Sequence, residues 1–180
     1  MTQIIYFSFA FAFSELLLAL VKRSKTGKVK RRDDKGSLIL LWITITLGFV
    51  AGFKFSRPIN QFFLGAGYTF IIAGIIIRWL AILDLGKSFT VDVAITEASV
   101  LKTDGMYERI RHPSYSGLLL IVLGFSCAMS SFYSFLLLPV PVFIIMCYRI
   151  SIEEKLLISE FGNDYLKYKS RTKRIIPCIW

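Results

Sequence analysis

The densest polar stretch of the chain runs from Gly105 to Gly117 and leads directly into an apolar run. Pro113 suits the first position of a helix, where its missing N–H costs nothing, and this puts His112 at the N-cap. A helix start offers unpaired N–H groups and the positive end of the helix dipole, and Arg111 and His112 add side-chain donors. These features predict a site for an anionic group such as a carboxylate.

Arg109 and Arg111 also allow a simpler interpretation. Basic residues at the ends of membrane-spanning helices commonly anchor the helix at the interface and do nothing further. Charge alone does not separate the two interpretations. The combination of Arg, His, Pro and Ser in one short segment favours the anion site.

A second group of ionisable residues consists of Arg149, Glu153 and Glu154. Arg149 and Glu153 are four residues apart, so they share a helix face and are able to pair, whereas Glu154 points about 100° away. Charged groups close to hydrocarbon are costly and tend to face a bundle interior or a wet cavity, which makes them candidates for function. The alternative is a snorkelling salt bridge that ends the helix. Spacing does not rank Glu153 above Glu154.

Three further ionisable residues interrupt the apolar runs. Arg78 lies near the end of its run, with Asp84 one or two turns further on. Because an arginine in that position is able to snorkel to the interface, we interpret Arg78 as an anchor without a chemical role. Glu15, inside the first apolar run, has no explanation in the sequence.

The composition indicates that these residues stand on helices in a bilayer. The 180 residues are 55% hydrophobic and 15% aromatic, with a mean hydropathy of +0.61, more than an ordinary soluble domain carries. The net charge of +10 comes from basic residues that flank the apolar runs, where anionic lipid head groups meet them. We therefore interpret the charge as a sign of topology, and the apolar runs exclude a soluble nucleic-acid binder.

The apolar runs predict the spanning helices. Three separate runs are close to the roughly 17 to 25 residues that a spanning helix needs. The last run, 118–150, would be on the order of 50 Å long as one helix, so it must fold back within a bilayer of roughly 30 Å. The serine-rich stretch 130–134 marks the turn, and Pro139 and Pro141 are expected to kink the last span. The predicted fold is an all-α integral membrane bundle in a single domain, 1–180, with five spans at about 4–21, 38–53, 62–83, 115–130 and 133–152.

The distribution of positive charge predicts the topology. The linker 22–35 holds eight Lys or Arg residues against Asp33 and Asp34, and the tail 153–180 holds six more. Positively charged segments stay on the cytosolic side. With an odd number of spans, the N-terminus faces outward, and the loop 86–113 lies in the cytosol beside the tail.

The tail pattern is typical of a helix on a membrane surface. Apolar and aromatic residues recur at helical spacing with charged residues between them. Gly162 is expected to end one helix, and Asn163 with Asp164 to cap the next. The apolar positions are Leu157, Phe161, Tyr165 and Tyr168.

The three cysteines predict no metal or redox site. Cys127, Cys147 and Cys178 have no metal-ligand or redox spacing, and two of them lie in apolar runs. Cys178 is third from the end, whereas a C-a-a-X prenylation signal needs it fourth. The first apolar run lacks the basic flank and cleavage site of a removable signal, so we expect it to remain as a span.

The apolar runs and the ionisable residues near their ends, considered without any family resemblance, support a membrane protein with a cytosolic site for a carboxylate or phosphate.

Several separated motifs occur in order between about Leu83 and Pro177. They are LGKSF at 85–89, GMY at 105–107, RHPSYSG at 111–117, R-x-SIEE at 149–154, FGNDYLKY at 161–168 and RIIP at 174–177. In these motifs the chain resembles the isoprenylcysteine carboxyl methyltransferase family. The five predicted spans resemble the short prokaryotic form of the family, and this favours a prokaryotic inner membrane as the location. Met106 stands where eukaryotic members have proline.

The resemblance implies a binding pocket for S-adenosylmethionine between the cytosolic loop and the last spans. It implies two catalytic residues, Glu153 in contact with the methyl donor and Arg149 at the acceptor carboxylate. Arg111 joins the pocket from the anion-site argument, and Glu154 as the unranked neighbour of Glu153. The expected cofactor-binding residues are Ser99, Val100, Leu101, Lys102, Tyr107, Arg111, His112, Pro113, Ser114, Tyr115, Glu153 and Glu154.

The resemblance further implies methyl transfer to the carboxylate of an isoprenylcysteine or a similar lipidic acid, leaving S-adenosylhomocysteine. Such a transfer needs no covalent enzyme intermediate, only binding, in-line alignment and exclusion of water. The partners are then a lipidic or prenylated acceptor and membrane lipids. One alternative is a methyltransferase that acts on phospholipid amines or small thiols, and an amine acceptor would require an acidic pocket. The other is a non-catalytic scaffold or carrier of the same fold.

Overall fold

The computed structural model describes residues 2–22, 29–32, 34, 36–55, 60–89, 93–96 and 99–176. Helices dominate these residues, which confirms the predicted all-α class. Short 3₁₀ turns lie at Gly86–Ser88 and Gly105–Glu108. In chain order the elements are α1 (Thr2–Lys22), β1 (Val29–Arg32), α2 (Ser37–Lys54), α3 (Gln61–Leu85), β2 (Ala94–Thr96), α4 (Pro113–Ala128), α5 (Phe132–Leu137) and α6 (Pro139–Arg171).

Three helical stretches are long and apolar enough to cross a bilayer. They are α2, α3 and the stretch Phe132–Arg171, which joins α5 to α6. Shorter apolar helices cover Ile4–Leu18 and Pro113–Ala128. Phe9 and Phe62 are among many large apolar side chains that face outward on these helices, a surface suited to lipid and costly in water. Helices occupy the stretches predicted as spans, and it stays a prediction that each of them crosses the membrane.

The close packing of α3 against α4 depends on glycines. Gly74 faces Gly117 and Gly67 faces Gly124, so the same spacing recurs on both helices. A Cβ atom at Gly74 would lie 2.6 Å from the carbonyl oxygen of Gly117, and one at Gly67 would lie 2.7 Å from that of Gly124. Small residues allow helix backbones to approach this closely in a membrane. The contact fixes α4, which begins with the candidate motif, on α3.

Aromatic contacts join α1 to the other helices. The rings of Phe7 and Tyr68 stack with their centroids 4.6 Å apart. Phe11 packs against Trp42 of α2 and Phe125 of α4. The core that these rings cover includes Leu41, Ile45, Ile71, Ile121, Val142, Met146 and Ile150.

The linker, the loop and the tail meet at one end of the bundle. β1 and β2 pair antiparallel, with Val29 opposite Thr96 and Arg32 opposite Ala94. A parallel bridge joins Ile110 to Lys173 of the tail. The sequence predicted that the loop and tail lie side by side, but it did not predict the ribbon, because the basic linker carries little strand signal.

The helix boundaries agree with the sequence at three predicted places. α4 begins at Pro113 with His112 at its N-cap, as predicted. Gly162 has φ 52° and interrupts α6, which confirms the predicted break. The predicted last span, 133–152, is interrupted at Leu138, directly before Pro139, which confirms the predicted kink at Pro139, while Pro141 lies inside regular helix. Pro139 starts α6 after the break at Leu138, because proline fits the first turn of a helix better than its interior.

Candidate active site

A large cavity lies where α1, α2, α3, α4 and α6 meet the loop 86–108. It has about 1270 Å³ of space between protein atoms, part of it open to solvent. Polar residues line it near the loop, and apolar residues line it further along α2 and α4. The lining includes Glu15, Leu38, Leu41, Trp42, Ile45, Arg78, Ser88, Ser99, Val100, Leu101, Lys102, Tyr107, Arg111, His112, Ser114, Tyr115, Leu118, Arg149, Glu153, Phe161, Tyr165 and Tyr168.

Polar contacts hold the loop segment 99–102 at the mouth of the cavity. The backbone N–H of Val100 donates to Ser88 Oγ at 3.0 Å. Lys102 Nζ lies 2.9 Å from Asp84 Oδ1 and 3.0 Å from Asp104 Oδ1. Asp84 also accepts the N–H of Met106 at 3.2 Å. The contacts of Asp84 at the end of α3 therefore hold this loop segment in position.

Tyr107 and Tyr168 form a chain of buried hydrogen bonds at the cavity wall. Tyr107 Oη donates to the carbonyl oxygen of Ala81 at 3.1 Å, and Tyr168 Oη donates to the carbonyl oxygen of Tyr107 at 2.6 Å. Burial raises the pKa of Tyr168 to about 12, and it raises that of Tyr107 as well. Both phenols therefore stay protonated at neutral pH and act as donors.

The tail covers much of the α4 start. The N–H groups of Arg111 and His112 donate to the carbonyl oxygens of Lys173 and Arg174 at 2.8 and 2.9 Å. Ser116 Oγ donates to the carbonyl oxygen of Ile175 at 2.6 Å. Carbonyl oxygens of the tail therefore accept hydrogen bonds from donors of the predicted anion site, although the tail lies nearly 60 residues away in sequence.

Glu154 is the centre of a buried ionic cluster. Its side chain accepts Arg111 Nε at 3.0 Å, Lys169 Nζ at 3.0 Å and Arg174 Nη2 at 3.1 Å. Burial alone would raise the pKa of this carboxyl, but interactions with His112, Arg174, Lys169 and Arg111 outweigh burial and hold it well below its usual range. Arg111 also donates to the carbonyl oxygens of Lys169 and Thr172. Glu154 and Arg111 thus join α6, α4 and the tail.

Glu153 lines the cavity, and His112 lies between the two glutamates. His112 Nδ1 is 3.8 Å from Glu153 Oε2, and Nε2 is 3.7 Å from Glu154 Oε1. Among the described residues, neither His112 Nε2 nor the hydroxyl of Tyr165 has a hydrogen-bond partner, although both are buried. Unpaired buried polar atoms are costly unless a ligand or water satisfies them. Both residues line the cavity, so their polar atoms are candidates to meet a bound ligand.

Arg149 projects from α6 into the cavity, where three side chains of the described residues accept its hydrogen bonds. Its Nη1 donates to Asp34 Oδ1 at 2.6 Å and to Ser37 Oγ at 2.8 Å. Its Nε donates to Tyr115 Oη at 2.8 Å. The side chain of Arg149 is only 4% exposed. This guanidinium is therefore oriented by the linker, α2 and α4 together.

Arg78 forms an ion pair inside the bundle, which corrects its interpretation as an interface anchor. Its Nε and Nη2 donate to the two oxygens of Glu15 at 2.5 and 2.7 Å, and its Nη1 donates to the carbonyl oxygen of Ser114. The arginine pairs within the protein because two opposite charges on neighbouring helices neutralise each other at less cost than one buried charge. This pair also explains Glu15.

The apolar part of the cavity extends along α2. Leu38, Leu41 and Ile45 lie on one face of this helix, and Trp42 and Leu118 complete the wall. Ile45 lies about 12 Å from the start of α2 at 1.5 Å per residue. This depth is enough to receive several carbons of an apolar chain.

Most of the predicted site residues meet at the cavity. The predicted residues in its lining are Ser99, Val100, Leu101, Lys102, Tyr107, Arg111, His112, Ser114, Tyr115, Arg149 and Glu153. Pro113 starts α4, and the carboxylate of Glu154 faces its cationic cluster. No measurement of binding tests these assignments, and they stay predictions.

Sequence reasoning missed Asp34, Glu15 and Arg78 as members of the site. Asp34 gives only the weak signal of an acidic residue among basic ones. Glu15 and Arg78 give a stronger signal, because opposite charges in two apolar runs each need a partner.

Comparison with known proteins adds the family. A profile of the isoprenylcysteine carboxyl methyltransferase family matches residues 67–159, just over half of the chain. The chain is 30% identical over 185 residues to protein-S-isoprenylcysteine O-methyltransferase B of Arabidopsis thaliana, covering 99% of this chain and 93% of that protein. It is 35% identical over 112 residues to protein-S-isoprenylcysteine O-methyltransferase of Schizosaccharomyces pombe, covering 61% of this chain and 48% of that protein.

A solved structure shows the same likeness in three dimensions. It is that of the eukaryotic intramembrane Ras methyltransferase ICMT (isoprenylcysteine carboxyl methyltransferase), with a TM-score of 0.62 and 27% identity. The match covers 81% of this chain and 50% of that one, so the chain spans about half the length of this protein and of the Schizosaccharomyces pombe relative. The apolar helices and this intramembrane relative together identify a membrane protein. The family profile and the near full-length relative show that the chain belongs to the isoprenylcysteine carboxyl methyltransferase family.

Proposed function

We propose that this membrane protein transfers a methyl group from S-adenosylmethionine to the carboxylate of an isoprenylcysteine or a similar lipidic acid. One observation carries the proposal. A single cavity is lined by the loop segment 99–102, by Arg149 and by the apolar face of α2. Such a cavity brings a polar methyl donor and a lipidic acceptor together, as the names of the relatives lead one to expect.

The residues near the loop fit S-adenosylmethionine. This cosubstrate supplies a methyl group on a positively charged sulfur, which is a good leaving group. The buried polar atoms of His112 and Tyr165 that lack a hydrogen-bond partner among the described residues line the cavity and are suited to a polar ligand. Glu153 is suited to the amino group of the donor, and the aromatic rings of the wall are suited to its cationic sulfur. The backbone of 99–102 and the residues from His112 to Tyr115 complete the proposed donor site.

Arg149 is the proposed contact of the acceptor carboxylate. Its guanidinium is oriented by Tyr115 and Asp34, and a guanidinium binds carboxylates in a defined geometry. A carboxyl group with an ordinary pKa is ionised at neutral pH, so the reaction needs no general base. The apolar residues of α2 receive the lipid chain and keep water away. The protein therefore contributes alignment and exclusion of water.

An amine acceptor is the second candidate. Glu15 and Glu153 line the cavity, and Asp34 contacts Arg149, so carboxylates lie close to the proposed acceptor position. An ammonium group is favoured by carboxylates and must lose a proton before it is methylated. The buried pairs that neutralise two of these carboxylates favour the carboxylate acceptor.

The topology is part of the proposal. The N-terminus lies outside, and the loop, the tail and the active site lie in the cytosol, because the basic residues concentrate in the linker and the tail. A prokaryotic inner membrane is the proposed location.

The first experiment is calorimetric titration of the detergent-solubilised protein with S-adenosylhomocysteine, in parallel with the His112→Ala variant. We expect saturable binding by the wild type and its loss in the variant. Absence of binding by folded wild type would contradict the donor site and support a non-catalytic scaffold. Acceptor identity is tested with labelled S-adenosylmethionine and three acceptors, N-acetyl-S-farnesylcysteine, phosphatidylethanolamine and an alkyl thiol. Labelling of the amine or the thiol alone would overturn the carboxylate assignment.

A further inference from the structure

Asp34 connects Arg149 to the loop near the donor site. Its carboxylate accepts Arg149 Nη1 at 2.6 Å and Ser37 Oγ at 3.0 Å. The backbone N–H of Leu38 lies 3.5 Å from its other oxygen, and the backbone of Val93, a cavity-lining residue just before β2, is close enough to help lower the pKa of Asp34. Burial opposes ionisation, but the charge of Arg149 and these hydrogen bonds lower the pKa of Asp34 below its usual range. Asp34 is therefore an anion at neutral pH.

The proposed reaction makes the charge on Arg149 important. A lone pair on the acceptor oxygen forms the new O–CH₃ bond while the S–CH₃ bond breaks, and its electron pair stays on sulfur. A carboxylate anion and a sulfonium cation thereby become a neutral ester and a neutral thioether, and no proton moves. The acceptor carboxylate loses negative charge on the way to the transition state. A full positive charge beside that carboxylate stabilises the ground state more than the transition state, and such binding slows the chemical step.

We propose that Asp34 is a positioning residue that neutralises Arg149, so that the guanidinium orients the acceptor carboxylate without reducing its nucleophilicity. This inference rests on the proposed function. Two features of the structure support it. The distance of 2.6 Å between Asp34 and Arg149 is that of a strong charge-assisted hydrogen bond, and both side chains are shielded, with 18% and 4% of their surface exposed. Because both side chains are shielded from solvent, the attraction between their charges is only weakly screened.

The role differs from simple support of Arg149. Among the described side chains that accept hydrogen bonds from the guanidinium, Ser37 Oγ and Tyr115 Oη are uncharged, and the charge of Glu153 also acts on Arg149. Loss of a neutral partner loosens the guanidinium and weakens acceptor binding. Loss of the Asp34 charge instead strengthens the attraction between Arg149 and an anionic acceptor and slows the chemical step.

The test compares Asp34→Asn with the wild type and with Ser37→Ala as the neutral control. Titration with N-acetyl-S-farnesylcysteine, in the absence of donor, measures binding of the anion, and the corresponding carboxamide serves as the uncharged control ligand. We expect Asp34→Asn to bind the carboxylate roughly fivefold to tenfold more tightly, the scale of one partly screened ion pair. Binding of the carboxamide stays unchanged. In turnover, KM for the acceptor and kcat both fall. Ser37→Ala shows no tightening.

Several results would overturn this assignment. They are weaker or unchanged binding of the carboxylate by Asp34→Asn, equal tightening of the carboxamide, or an unchanged kcat. S-adenosylhomocysteine binding verifies that the variant is folded, and Asp34→Ser replaces it if Asp34→Asn does not fold. A wild type that binds the acceptor but transfers no methyl group would overturn the proposed function, while the binding comparison would still decide the electrostatic role of Asp34.

Discussion

At the residue scale, Glu153 and Glu154 are neighbours in sequence with different surroundings. Glu153 lines the cavity with about a third of its side chain exposed, whereas Glu154 is almost completely buried among Arg111, Lys169 and Arg174. The helix turns by about 100° per residue, which directs the two carboxylates to different sides of α6. Glu153 is therefore the candidate for ligand contact, and Glu154 holds the tail in place.

Glu153→Gln tests this division of roles. We expect the variant to bind S-adenosylhomocysteine at least about tenfold more weakly, since it loses a charge-assisted contact to the ligand. Its thermal midpoint stays close to that of the wild type, because Glu153 is partly exposed. Titration calorimetry and a thermal unfolding scan measure the two effects. A variant with unchanged affinity would remove Glu153 from the proposed donor site.

At the element scale, the Glu154 cluster joins the start of α4 to α6 and the tail. Glu154→Gln leaves the buried Arg111 without its anion, and we expect a loss of roughly 3 kcal/mol in the free energy of unfolding at pH 7. The native pKa of Glu154 is depressed, so this stabilisation is present above the ordinary pKa of 4.5 and declines as the pH falls towards the native value. The difference in thermal midpoint between wild type and variant should therefore narrow below pH 4.5. A difference that stays constant on acidification would contradict an electrostatic role.

The α3–α4 contact predicts a large effect from one methyl group. In Gly74→Ala the new Cβ would lie 2.6 Å from the carbonyl oxygen of Gly117, and we expect a destabilisation of about 1 to 3 kcal/mol. Gly65→Ala on the same helix is the matched control, because no atom lies within 4 Å of its added Cβ. Thermal unfolding in detergent should show a lower midpoint for the first variant only. Equal midpoints would mean that α3 and α4 are less closely packed.

At the scale of the whole molecule, the topology is open to a direct test. Asn60 precedes α3 at the end opposite the loop, and Asn163 lies in the exposed part of the tail. In a Cys178→Ser background, we expect a membrane-impermeant maleimide to label Asn60→Cys in intact cells and to label Asn163→Cys only after lysis. The basic linker and tail are the physical reason, since positive segments are retained in the cytosol. Labelling of Asn163→Cys in intact cells would reverse the proposed orientation.

Local sequence determined the helices and pointed to the location of the candidate site. Long apolar runs produce helices in a bilayer because only a helix satisfies its own backbone there. Pro113 and Gly162 set a helix start and a helix break by their backbone preferences. The polar motif from Gly105 to Gly117 was recognisable because polar residues at a membrane interface are conspicuous against apolar surroundings. These properties depend only on neighbours in the chain.

Only the tertiary structure decided which charges pair with which. Arg149 contacts Asp34 across 115 positions of sequence, and Arg78 contacts Glu15 across 63. Spacing suggested Glu153 as a partner for Arg149, but it carried no information on the β1–β2 ribbon or on the linker that brings Asp34 to α6. The cost of a buried charge shows that a partner must exist, while the partner itself depends on how distant helices pack.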